Sequence, residues 1–146
     1  MRRLLLSVAA LAIPVSTASA ISIGIAGPAG ASAPVSCTKV VGVITGNITF
    51  KGCGGGLGKG TAPAASLATG GTITWLGRIK GTTTVALSVT SPGQGGCKKN
   101  STEYDATGTV TADTTGVVSV GDPVSGRACL SPSGSISLVK HTVFTF

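Results

Sequence analysis

Aromatic rings, charges and proton-carrying side chains are all scarce in this chain. Of its 146 residues 10% are charged and 3% are aromatic, with four acidic residues and a single histidine, His141. An enzyme must move protons, activate a nucleophile or hold a metal, and this inventory leaves few groups for any of those tasks. His141 falls near the end of a strand pattern, where a surface or edge position is expected, and no nucleophile accompanies it. The serines lie in turn contexts and no GxSxG elbow occurs. No CxxC pair is present, which removes the usual sign of a zinc site or a thiol-exchange centre. Basic and aromatic residues do not alternate, so a base-stacking surface for nucleic acid is not expected. The chain therefore reads as non-enzymatic, with no cofactor and no metal site.

Glycine, by contrast, is abundant, and the stretch KGCGGGLGKGT at 51–61 has the look of a phosphate-binding loop. The spacing fails. With Gly58 and Lys59 as the Gly-Lys pair, the first glycine of the motif falls on Cys53 and the hydroxyl position on Gly60. Pro63 and a double glycine follow closely, leaving room for one short helical turn where the motif needs a helix. The stretch reads as a disulfide-anchored surface loop.

The N-terminus, MRRLLLSVAALAIPVSTASA, places two arginines before an apolar run and then small residues, the physical type of a secretory signal. Ala20, Ala31 and Ala33 each end a segment suited to cleavage, Pro34 making the last the least favourable. The uncharged run from Leu4 to Gly27 would also serve as a retained anchor. Residues 1–33 are thus assigned to the signal and its cleavage region, and 34–146 to one secreted domain with no membrane span in the mature chain. Beyond Arg2 and Arg3 the chain has nine basic and four acidic side chains. The lysines are scattered apart from Lys98-Lys99, an excess suited to weak attraction toward an anionic cell-envelope component.

Four cysteines in a short exported chain indicate two disulfides. Cys37, Cys53, Cys97 and Cys129 allow three pairings, of which the sequence-local one, Cys37 with Cys53 and Cys97 with Cys129, is preferred.

Twenty threonines and many valines select strands. In TITWLGRIKGTTTVALSVT, Ile73 and Trp75 share a face, the chain turns over Gly77–Gly81, and Val85, Leu87 and Val89 share a face on the return. In TEYDATGTVTAD, Tyr104, Ala106, Val110 and Ala112 alternate with Glu103, Asp105, Thr107, Thr109 and Thr111. Parity slips near Lys140 and His141, where a bulge or corner is expected. With CTKVVGVI and NITFKGC the count reaches seven or eight short strands, an all-β antiparallel sandwich or small barrel.

The segments SCTKV, TGNITFKGC, GGTITW, ATGTVTADTTG and SISLVKHTVFTF resemble small secreted β-rich proteins of actinobacteria that have no assigned activity. The resemblance implies export and a β fold, and no site residues. The cysteine layout and the ending TVFTF also resemble, in part, the secreted subtilisin-inhibitor family, although a Trp75 hairpin replaces that family's helical region and no proline follows Cys97. That resemblance implies a reactive loop at Lys98, Lys99 and Asn100, with an extracellular protease as partner.

Three other features invite chemistry. Glu103 and Asp105 lie about 7 Å apart by strand geometry, a spacing usable for glycoside hydrolysis or calcium, but they continue into threonines and read as a solvated face. Trp75 could stack on a sugar, yet its parity with Ile73 makes it a core anchor. Asp113 and Asp122 sit where an aspartate bonds its own turn.

Overall fold

A computed structural model describes residues 33–146, so the signal segment and its cleavage sites fall outside the described residues, apart from Ala33. Nine strands follow one another: β1 (Ser36–Val43), β2 (Asn47–Cys53), β3 (Gly58–Pro63), β4 (Gly70–Trp75), β5 (Gly81–Gly93), β6 (Thr102–Asp113), β7 (Pro123–Leu130), β8 (Ser135–Leu138) and β9 (Phe144–Thr145). A 3₁₀ turn at Ala65–Leu67 is the one short helical piece that the proline and glycines permit there.

Each strand pairs antiparallel with the next from β1 through β8, and β8 pairs back onto β1, closing a barrel. Of the two architectures expected from the sequence, the barrel is the one that forms. Its eighth stave is shared: β8 fills one half of the gap between β7 and β1, and β9 fills the other half. Between them the chain turns through Val139–Val143 with His141 at φ +63°, the corner expected from the parity slip. The up-and-down order puts the β1–β2, β3–β4, β5–β6 and β7–β8 connections at one end, here called upper. The other connections and the chain's C-terminus lie at the lower end.

The alternation sorts side chains as expected for most strands. Ile73, Trp75 and Val85 are buried inside, while Lys39, Lys51, Thr72 and Thr74 are exposed outside. An exterior of threonine and lysine around an apolar interior is the reverse of the patterning a lipid-facing barrel needs.

Four of the chain's five aromatic residues meet in one cluster at the lower end. Phe50 lies 6.2 Å from Trp75, 5.4 Å from Phe144 and 6.1 Å from Phe146 between ring centroids, and Trp75 meets Phe146 edge-on at 5.6 Å. Such tilted and edge-on pairs contribute roughly 0.5–1.5 kcal/mol beyond burial. Glycines make the cluster fit: the Trp75 ring covers Gly60 and the Phe144 ring covers Gly126, so a Cβ at either would stand within 2.6 Å of ring atoms. The Trp75 indole, 1% exposed, donates from Nε1 to Thr83 Oγ1 at 2.8 Å, and Thr83 donates to Asp113 Oδ1 at 2.6 Å. Trp75 is therefore a core anchor with its polar edge satisfied.

Three expectations need correction. The glycine-rich stretch at 51–61 is a surface loop only across Gly54–Gly56; Leu57 is buried and Gly58–Pro63 forms β3, paired on both sides. Its glycines obscure a strand because one of them yields its side-chain space to Trp75. Ala112 is exposed rather than inward, because Val85 faces Val110 while Thr84 faces Ala112, leaving Thr111 as a bulge that reverses the parity. Glu103, expected on a solvated face, is buried beneath the β5–β6 connection.

Both disulfides join the sequence-local partners. Cys37 and Cys53 are direct cross-strand partners on β1 and β2, and Cys97–Cys129 ties the β5–β6 connection to β7. Chain-entropy arguments assign each link about 3 to 4 kcal/mol. Serine at both Cys97 and Cys129 is expected to lower the urea-unfolding free energy by roughly that amount. Gly60→Ala should cost about 1–3 kcal/mol through overpacking against Trp75, and an unchanged unfolding midpoint would mean the ring is not seated there.

Candidate functional site

Small residues leave the upper half of the barrel open. Ala106 on β6 and Ala128 on β7 place only methyl groups on the inner wall, and Ala64, Ala65 and Ala68 stand at the upper mouth. The result is a cavity of about 430 Å³, within the range that holds small organic ligands. Its floor is Phe50 and Phe144 from the aromatic cluster. Its walls are aliphatic, with Leu87 and Val89 from β5 facing Leu130 from β7 and Ile136 and Leu138 from β8. Ile44 and the 3₁₀ turn border the upper mouth.

Among the described residues no charged side chain lines this cavity, and Tyr104 is the one lining residue whose side chain carries an oxygen or nitrogen. Several wall residues, Leu87, Val89, Leu130 and Leu138 among them, are only half-buried although they point inward. They face the cavity, not packed neighbours. An apolar hollow of this kind gains by admitting apolar surface at about 25 cal/mol per Å² removed from water.

A second cluster lies on the outer wall of β6 and β7. Glu103, expected to be solvated, is 0% exposed. The cause is the Cys97–Cys129 disulfide: Cys129 is the cross-strand partner of Glu103, so the link draws the Gln94–Asn100 loop down over the carboxylate. Gly96 N–H donates to Glu103 Oε2, and a Cβ on Gly95 would collide with the same oxygen. Arg127 Nε donates to Oε1 at 2.6 Å, while its Nε also lies 3.4 Å from Asp105 Oδ1.

The Gly96 hydrogen bond holds the Glu103 carboxyl below its ordinary range; desolvation opposes this, and Arg127 adds to the lowering. Glu103 in turn raises the Arg127 pKa. A carboxylate kept ionised beneath a loop and neutralised by arginine is a structural pin. It is poorly placed to act with Asp105 as an acid-base pair.

The other sequence candidates are dispersed. Asp113 Oδ2 accepts from Thr115 N–H at 2.8 Å and Gly116 N–H at 2.7 Å, and Asp122 Oδ2 accepts from Ser119 N–H at 2.7 Å, the local turn bonding expected of both. His141 is exposed on its corner. Among the described residues, no three His, Cys, Asp or Glu side chains are grouped as a metal site would require. Lys98, Lys99 and Asn100 lie in a tight turn, with Ser101 N–H donating to Lys98 O at 3.0 Å and Asn100 at φ +65°. A substrate-like protease loop is extended, and this segment folds back on itself.

No protein family, curated protein or solved structure matches this chain. What the site can do rests on its own geometry. The cavity was missed in the sequence, where the inward positions of β5–β8 read simply as core. The available signal was the alanine at Ala106 and Ala128, small for the inner wall of an eight-stave barrel.

Protonation of Glu103 gives a testable pH dependence. Its folded pKa is lowered, so its stabilisation is complete above the ordinary glutamate value of 4.5 and is lost as pH falls through the folded pKa. Glu103→Gln should flatten the acid limb of melting temperature against pH, measured by circular dichroism. An acid limb identical to wild type would show that another carboxylate dominates it.

Proposed function

We propose that this protein is a non-enzymatic binding domain that works outside the cytoplasm and takes a neutral, apolar small molecule into the upper half of its barrel. The observation carrying this reading is the 430 Å³ cavity, walled by aliphatic side chains and free of charged ones. Burying an unpaired carboxylate or ammonium there would be costly, which selects against charged guests. The Tyr104 hydroxyl offers one hydrogen bond for orientation, so a guest with a single hydroxyl or carbonyl group fits best.

Extracellular action is supported by the two disulfides and by the secretory character of the N-terminal sequence. A non-enzymatic role is supported by the employment of the acidic groups. Glu103 is pinned by the 94–100 loop, Asp113 and Asp122 close turns, and His141 is exposed on its corner.

A neutral environment-sensitive dye such as N-phenyl-1-naphthylamine tests the reading. Wild-type protein should enhance its fluorescence saturably at one site. Ala106→Trp and, independently, Leu87→Trp should each fill the hollow and weaken binding about tenfold or more while the melting temperature holds or rises, because filling an apolar void adds contacts. Absence of saturable binding, or binding unchanged by both substitutions, would overturn the proposal.

A further inference from the structure

The lysines that are scattered in the sequence are brought together by the strand register. Lys39 on β1 is the direct cross-strand partner of Lys51 on β2, and Lys51 is the direct partner of Lys59 on β3. All three are exposed on the outer wall. Directly opposed residues of neighbouring strands have Cβ atoms about 5 Å apart, and like charges at that distance destabilise the sheet. The row continues beyond β3: Leu76 N–H donates to Lys59 O at 2.8 Å, and Arg78 and Lys80 stand exposed just past Leu76.

The acidic residues lie on β6 and the connection that follows it, which meets the β2–β3 connection where Val117 reaches Gly55. Glu103, Asp105 and Asp113 belong to β6 and Asp122 to the connection after it. In an eight-stave barrel β6 lies four staves from β2, diametrically across from Lys51. Among the described residues the ion pairs are those of Arg127 with Glu103 and Asp105; the lysine row takes part in none. The barrel is thus polarised, with a cationic band on β1–β3 that works against folding and takes part in no ion pair among the described residues.

We propose that this band binds a flexible linear polyanion carrying repeated phosphate groups and no aromatic bases. Its shape favours that partner. Each stave of the barrel occupies about 45° of arc, so the three lysine-bearing strands turn through roughly a quarter of the circumference. A flexible chain can follow that curve and meet every lysine, whereas a flat anionic bilayer touches a convex wall along about one stave. The face also lacks a stacking platform, because Phe50, Trp75, Phe144 and Phe146 are buried inside and Tyr104 lines the cavity. The ligand is recognised by its charges alone, and the site does not depend on the cavity.

Long-chain inorganic polyphosphate is the probe, with binding followed by fluorescence anisotropy as salt is raised. Wild-type affinity should fall linearly on a log-log plot against salt concentration. The triple substitution K39Q/K51Q/K59Q should lose roughly 100-fold in affinity, allowing a contribution typical of a lysine at an anionic surface for each. Its melting temperature at low salt should equal or exceed that of wild type, since two like-charge pairs are removed. Should the triple variant fail to fold, Lys51→Gln alone should lose about fivefold. K98Q/K99Q removes the adjacent pair away from the band and should change affinity less than about threefold. Failure of wild type to bind polyphosphate, an equal loss in K98Q/K99Q, or tighter binding to phosphatidylglycerol vesicles or single-stranded DNA would each overturn the proposal.

Discussion

Everything in this structure follows from enclosing an eight-stave barrel with too few large side chains to fill it. Backbone pairing closes the wall regardless of what lies inside, because a closed sheet leaves no stave without two neighbours. The interior is then filled only as far as the side chains reach. Here four aromatic rings gather at the lower end in mutual contact, seated on glycines that give up their own space. Above them alanines leave a hollow. The empty half and the packed half are two consequences of one shortage.

One covalent tie stands at the emptier end. A core concentrated at one end stabilises the upper staves weakly, and Cys97–Cys129 links the upper β5–β6 connection to β7. The same link buries Glu103, and the carboxylate then organises its surroundings by accepting from Gly96 and Arg127. Cys37–Cys53 lies near the seam where the first and last staves meet. The two disulfides thus stand at opposite ends of the barrel.

Much of the architecture was legible in the sequence. Threonine and valine alternation located most of the strands, the Gly77–Gly81 turn, the local cysteine pairing and the inward placement of Trp75. What escaped was set by partners distant in sequence. Gly60 looks like a loop residue until Trp75 is known to lie over it. Glu103 looks solvated until Cys129 is known to face it across the ladder, and a single bulge at Thr111 reverses Ala112. The lysine band was invisible for the same reason: Lys39, Lys51 and Lys59 are well separated along the chain and adjacent only in register. Periodicity reveals which side of a strand a residue faces, whereas burial by a loop and clustering by register depend on pairings it does not encode.

The central claim is that the upper half of the barrel is an apolar, guest-accessible hollow. Methyl-resolved NMR during titration with a neutral hydrophobic guest measures this most directly. The account predicts saturable shifts concentrated on the methyl groups of Leu87, Val89, Leu130, Ile136 and Leu138. Shifts that are absent there, or that fall instead on exposed methyls such as those of Leu76 and Val120, would contradict it.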